Sequence, residues 1–309
     1  MPNAGSNEIS QAVFNTLLYS DVYDFPLTAR EIHRYLSGRA ASYEEVCQAL
    51  KEDPRFTRAG DYFTLPGRQE IVSVREMREK RSQGLLPLAL KYGKIIGRLP
   101  FIRMVALTGS LAVHNVSGFE DFDYMLVTRP GRLWTARAFV LLFGRFTRQA
   151  GHTICPNVIV SEESLTWSQH DLYSARDLCQ MIPISGMSVY QKLIQANQWV
   201  EDFLPNAYLN ITDMFFEERE SDKTWLRSVL ELPLRGRLGE RVEGWEMRRK
   251  IERFSRQEGF GEETIFSASI CQGNFDHHRR WTRSELERRR AAFNDQPFSQ
   301  ENPVQLETL

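Results

Sequence analysis

Four residues near the middle of the chain have the types and spacing for phosphate chemistry. Gly109 and Ser110 form a pair of small residues, and Asp121 and Asp123 follow after ten intervening positions. The acidic pair runs into Tyr-Met-Leu-Val, which has the text of a buried strand. In a strand, residues two apart point to the same side, so Asp121 and Asp123 present both carboxylates together. Phe122 and Tyr124 then point into a core. Two neighbouring carboxylates repel, and a divalent cation removes the conflict. Hard oxygen ligands of this kind suit Mg²⁺ or Mn²⁺, held by one or two carboxylates plus substrate phosphates. On the other side, Gly109 lets the backbone come close to a ligand, and a helix beginning there offers amide N–H groups to a phosphate. The Ser110 hydroxyl adds a donor. The pattern predicts a phosphate cradle facing a metal site.

The elements that must position these residues follow from the surrounding text. Residues 102–108 read as a strand, 111–116 as a short helix and 122–128 as a second strand. Residues 132–150 read as an arginine-rich helix and 157–160 as a third strand. A long helix is expected over 69–98, broken or kinked near Gly84 and Pro87. Further upstream, Ile9, Val13, Leu17 and Leu18 recur at helical spacing. Thr28 with Glu31 and Ser42 with Glu45 are two capping boxes. Two short β-prone pieces around Ala59-Gly60-Asp61 read as a hairpin. Three helices and a hairpin make a winged-helix-like pattern. Its third helix, SYEEVCQALKED, carries more acid than base, which favours protein docking over DNA contact. After Ser164 the chain reads as almost wholly helical, with Pro183 and Pro205 as helix stops. The fold class expected is α+β, in three parts: a winged-helix-like domain over 1–68, a core with its leading helix over 69–165, and a helical region over 166–309.

Composition excludes several classes. Lys and Arg total 39 against 40 for Asp and Glu, a net charge of -1, so no global charge draws the chain to nucleic acid or an anionic membrane. The four cysteines are widely spaced, with no C-x-x-C pair and no zinc-ligand pattern. No secretory leader is visible at the N-terminus, and no apolar run approaches a membrane span. A reducing cytoplasm is the expected location.

The Gly-Ser pair, the ten-residue gap and Asp-x-Asp on an apolar strand resemble the signature of the polymerase-β-type nucleotidyltransferase superfamily. The resemblance covers about 101–160. More broadly, YSDVYDFPLT, GSLAVHN, CPNVIV and ANQWVEDFLPNA resemble bacterial nucleotidyltransferase-domain proteins. The resemblance implies a short mixed sheet with flanking helices, Asp121 and Asp123 as metal ligands, and Gly109-Ser110 holding the β- and γ-phosphates of a nucleoside triphosphate. The superfamily pattern has a third carboxylate on a later strand, and the corresponding strand here places Asn157 at that position. Asn is neutral and is no general base. Glu120 faces away from the pair on a strand, whereas Asp171 and Asp177 on a following helix are candidate substitutes.

The resemblance implies metal-dependent transfer of a nucleoside monophosphate from a triphosphate to an acceptor hydroxyl on RNA, protein or a small molecule. The alternatives are a catalytically impaired nucleotide- or nucleic-acid-binding regulator and an antitoxin-like partner protein. Arg75, Arg78, Arg81, Arg132 and Arg137 are candidates to offset charge on the leaving pyrophosphate. His114 follows the Gly-Ser turn closely, with helix packing the competing role. Adjacent His277 and His278 diverge and read as surface residues. The basic runs RRKIERFSRQ and RRRAAF carry intervening acids, which makes a solvated helix face the default reading.

Overall fold

The computed structural model describes residues 4–118, 121–213, 224–261 and 263–294. The N-terminal part comprises α1 (Ala4–Asp21), β1 (Leu27–Thr28), α2 (Ala29–Arg34), α3 (Tyr43–Glu52), β2 (Thr57–Ala59) and β3 (Tyr62–Thr64). Its strands form a small antiparallel sheet in the order β1-β3-β2. Both expected capping boxes form. Thr28 Oγ1 accepts from Glu31 N at 3.3 Å while Glu31 Oε2 accepts from Thr28 N at 2.8 Å, and Ser42 and Glu45 repeat the arrangement. Val13, Leu17, Leu18, Ile32 and Val46 meet in a core of this part's own.

Next come α4 (Ile71–Ile96), β4 (Ile102–Leu107), α5 (Gly109–Ala112), β5 (Phe122–Thr128), α6 (Leu133–Gln149) and β6 (Ile154–Ser161). Of the break or kink expected in the leading helix, the break is absent: α4 is one helix with Pro87 inside it. Strands β4 and β5 are antiparallel, and β5 runs parallel to β6 with α6 as the crossover.

The remainder is α7 (Leu172–Gln180), β7 (Ile182–Ser185), α8 (Met187–Gln195), α9 (Val200–Phe203), α10 (Pro205–Asp213), α11 (Thr224–Glu231), a 3₁₀ turn (Leu232–Leu234), α12 (Arg237–Phe254), β8 (Thr264–Phe266), β9 (Ile270–Gly273) and α13 (His278–Asn294). The expectation of a helical 166–309 region is therefore corrected. Three of its segments are strands, and they flank the central three in one mixed sheet ordered β7-β4-β5-β6-β9-β8. Pro183 lies in an outermost strand, where a missing N–H is tolerated. Pro205 does not merely stop a helix: it is the first residue of α10, where its fixed φ suits the first turn.

The sheet has two apolar faces. One carries Phe122, Tyr124 and Leu126 of β5 with Trp134, Ala136 and Val140 of α6, and α4 and α12 pack there too. The other carries Met125 and Val127 with residues of α7, α8 and α10. The α+β class with a mixed sheet and helices holds. No helix among the described residues is long and apolar enough to cross a membrane.

The N-terminal part is bonded onto this body. Gly38 N donates to Phe203 O at 2.7 Å, and Asn206 Nδ2 donates to the carbonyls of His33 and Ala41. Tyr23 Oη and Thr282 Oγ1 are 2.6 Å apart.

Candidate functional site

The Gly-Ser turn and the acidic strand meet at one end of the sheet. Strand β4 ends at Leu107, opposite Tyr124, and Thr108 N then donates to Asp123 O at 2.9 Å. The chain turns at Gly109, whose φ of +69° is left-handed. A Cβ on Gly109 would collide with Asp123 Oδ2 and stand 3.2 Å from Asp123 Cβ and Cγ. Glycine is thus required twice at this position, by backbone conformation and by the carboxylate packed on it. Asp123 is half-buried, and Asp121 is exposed just ahead of β5. Phe122 and Tyr124 are buried on the opposite face, as the two-residue alternation predicts.

The turn is held from behind by α4. Arg78 Nη1 donates to Asn115 Oδ1 at 3.1 Å and to Tyr23 O at 2.9 Å, while Arg81 bonds the Ser117 carbonyl. Val116 N donates to Ser82 Oγ at 3.3 Å, and Asn115 N to Ser110 O at 2.8 Å. Two buried polar atoms beside the turn, Thr108 Oγ1 and His114 Nδ1, have no hydrogen-bond partner among the described residues. His114 is also left-handed, at φ +57°.

On the neighbouring strand, Cys155 stands in register with Asp123. Asn157 does not. The register steps from Pro156 opposite Tyr124 to Val158 opposite Met125, which leaves Asn157 in the irregularity between them. Burial pushes the Cys155 thiol well above its usual range, and the Asp123 charge, a hydrogen bond to Asp123 and the Asp121 charge push it further. This side chain therefore stays a protonated thiol donating to Asp123. Sequence reasoning missed it, because the bulge that sets the register leaves no mark in the residue types.

The other candidates go elsewhere. Arg75 is buried, bonds Pro26 O and Glu31, and lies with its guanidinium 3.9 Å from the Phe25 ring centroid. Arg132 is buried and donates to the carbonyls of Leu234 and Arg235. Arg137 lies over the Phe254 ring at 5.0 Å, with Nε and Nη1 lacking partners among the described residues. Asp171 caps α7, accepting from Ser174 N at 2.8 Å, and stands 3.4 Å from Arg279. Asp177 lines a separate cavity of about 60 Å³ with Val158, Trp167, Tyr173, Gln272 and Arg279. Burial pushes its carboxyl up to about 7, against the pull of Arg279 and with a further push from Asp171. His278 stands 3.8 Å from Asp276 and His277 precedes α13 in a left-handed conformation. Glu120 lies outside the described residues.

No cluster of three or more His, Cys, Asp or Glu suited to a metal occurs among the described residues. The donor set at Asp121 and Asp123 is two carboxylates, which is what a Mg²⁺ completed by ligand phosphates takes from the protein. No protein-family model, curated protein or solved structure matches this chain.

Proposed function

We propose that the chain is a metal-dependent nucleotidyltransferase of the polymerase-β type, moving a nucleoside monophosphate from a nucleoside triphosphate to an acceptor hydroxyl. The observation that supports this reading is the packing of Gly109 against Asp123, which sets the turn against one of the two carboxylates. In this reading Asp121 and Asp123 hold Mg²⁺ or Mn²⁺, and the bound ion supplies Lewis-acid polarisation of the phosphates. Gly109 and Ser110 offer backbone and hydroxyl donors to the β- and γ-phosphates. Arg78 and Arg81 hold the loop behind them in place.

The acceptor half has a weaker equipment. On β6 the side chain in register with Asp123 is the Cys155 thiol and the next polar side chain is the neutral amide of Asn157, so no carboxylate base stands there to take a proton from an acceptor hydroxyl. That observation favours a second reading, a nucleotide-binding regulator. There the sheet senses nucleotide and the winged-helix-like N-terminal part, docked through Asn206 and Tyr23, carries the output.

The test incubates the purified protein with each α-labelled nucleoside triphosphate, Mg²⁺ or Mn²⁺ and cell extract, beside the Asp121→Ala/Asp123→Ala variant. Label transferred by the wild type alone establishes the enzyme and its acceptor fraction. Triphosphate binding without transfer selects the regulator. Neither binding nor transfer, in a protein with an unchanged melting temperature, sinks both readings.

A further inference from the structure

The basic text of α12 is interrupted by acids, among them Glu243 and Glu246. In the fold these two acids point inward. Glu243 is buried and accepts from Trp134 N, Thr135 N and Thr135 Oγ1 at 2.8, 2.8 and 2.6 Å, closing the start of α6. Glu246 is buried and paired with Arg249 at 2.6 Å and Lys250 at 3.8 Å. The outward side keeps its charge.

Arg237, Arg241, Trp245 and Arg248 follow one another at steps of three and four residues, so they share one side of the helix. All four are exposed, Trp245 by 58%. Among the described residues, Arg237, Arg241 and Arg248 have neither an ion pair nor a hydrogen-bond partner for their guanidinium groups. They border a shallow groove of about 400 Å³ with Gly244 and a single carboxylate, Glu240. The guanidinium of Arg249 lies 4.9 Å from the Trp245 ring centroid.

We propose that this side of α12 binds single-stranded nucleic acid, with Arg237, Arg241 and Arg248 on successive phosphates and Trp245 stacking a base. The assignment rests on charge and shape. At the α-helical rise, Arg237 to Arg248 spans roughly 16 Å, a length of a few nucleotides. Guanidinium groups free of internal partners are available to phosphates, and an exposed indole gives any base a face to stack on. The inference does not depend on the nucleotidyl-transfer reading, because no residue of that site takes part.

The experiment is fluorescence anisotropy of labelled oligouridylate against the full-length protein over a salt series. The wild type is expected to bind, with affinity falling steeply as salt rises. Arg237→Gln/Arg241→Gln/Arg248→Gln is expected to weaken binding at least about tenfold and make the log–log salt slope shallower by roughly two units. Trp245→Ala is expected to weaken binding by about tenfold with the salt slope unchanged, and Trp245→Phe to recover most of it. Arg256→Gln, which removes an exposed arginine already paired with Glu252, leaves binding as it was. Absent binding at low salt, or equal binding by the triple variant, overturns the proposal. Binding to phosphatidylserine vesicles without binding to the oligonucleotide overturns it in favour of a membrane surface.

Discussion

At the scale of single residues, the site depends most on an atom that is missing. Gly109→Ala forces a side chain into the left-handed region and against the Asp123 carboxylate. Strain of this kind costs about 1–3 kcal/mol. We expect a lower melting temperature together with loss of Mn²⁺ and triphosphate binding in calorimetric titration; an alanine variant that binds both normally would show that the turn is not the cradle. Cys155 gives a test of opposite sign. Cys155→Asp adds a third carboxylate beside Asp121 and Asp123, so the variant should be destabilised without metal and recover more strongly than the wild type when Mg²⁺ is added. A melting temperature indifferent to Mg²⁺ in that variant counts against a metal at this end of the sheet. The sequence pointed to Gly109 and Asp123 as neighbours, and they do pack together, because the turn and the strand are both legible from residue type and local spacing. It did not show that Cys155 stands in register with Asp123, because register between β5 and β6 depends on an irregularity at Asn157 that residue types do not announce.

At the scale of elements, two helix starts are closed by acids that lie outside the local turn. Glu243 closes α6, and Glu263 accepts from the backbone N–H groups of Arg279 and Arg280 at the start of α13, at 3.1 and 2.8 Å. Arg132, which precedes α6, makes no side-chain cap of its own. Glu243→Ala strands two buried N–H groups and a hydroxyl, each worth about 1 kcal/mol or more. A loss of about 2–4 kcal/mol in denaturant unfolding is expected, and a loss below about 0.5 kcal/mol would mean that water or another acid takes the role. Local caps were legible in the sequence: Thr28 with Glu31 and Ser42 with Glu45 sit three residues apart and form as spaced. The acid that caps α6 lies more than a hundred positions away from it, and no local rule pairs the two. The strands β4, β5 and β6 were legible from their apolar runs. Strands β7, β8 and β9 were not, because each is only three or four residues long and Pro183 within β7 reads as a helix stop.

At the scale of the whole molecule, the N-terminal part, the sheet and α13 share ion pairs and hydrogen bonds across their seams. Asp21 of α1 pairs with Arg68 at 2.9 Å and with Arg289 of α13, and Arg176 of α7 donates to Tyr35 O at 3.1 Å. Asp177 lies among these elements, with its carboxyl raised from an ordinary 3.8 to about 7 by burial. The native state therefore holds this proton more tightly than the unfolded chain does. Its contribution to stability is full below pH ~4 and is lost as the pH rises through about 7. The wild type should melt higher at about pH 5.5 than at about pH 8 from this group, and Asp177→Asn should flatten that difference; an unchanged profile in the variant would remove Asp177 as its source. One feature of the sheet bears on how the protein is made. Strand β6 ends at Ser161, but the partner that covers its outer side begins only at Ile270. During synthesis, β6 emerges from the ribosome and waits with a bare row of peptide groups while the helices between are added. This interval is when a second nascent chain can pair with it, and therefore when a chaperone is needed most. Chains released early, before Ile270, keep that bare edge and are expected to accumulate as insoluble material rather than as a smaller folded protein.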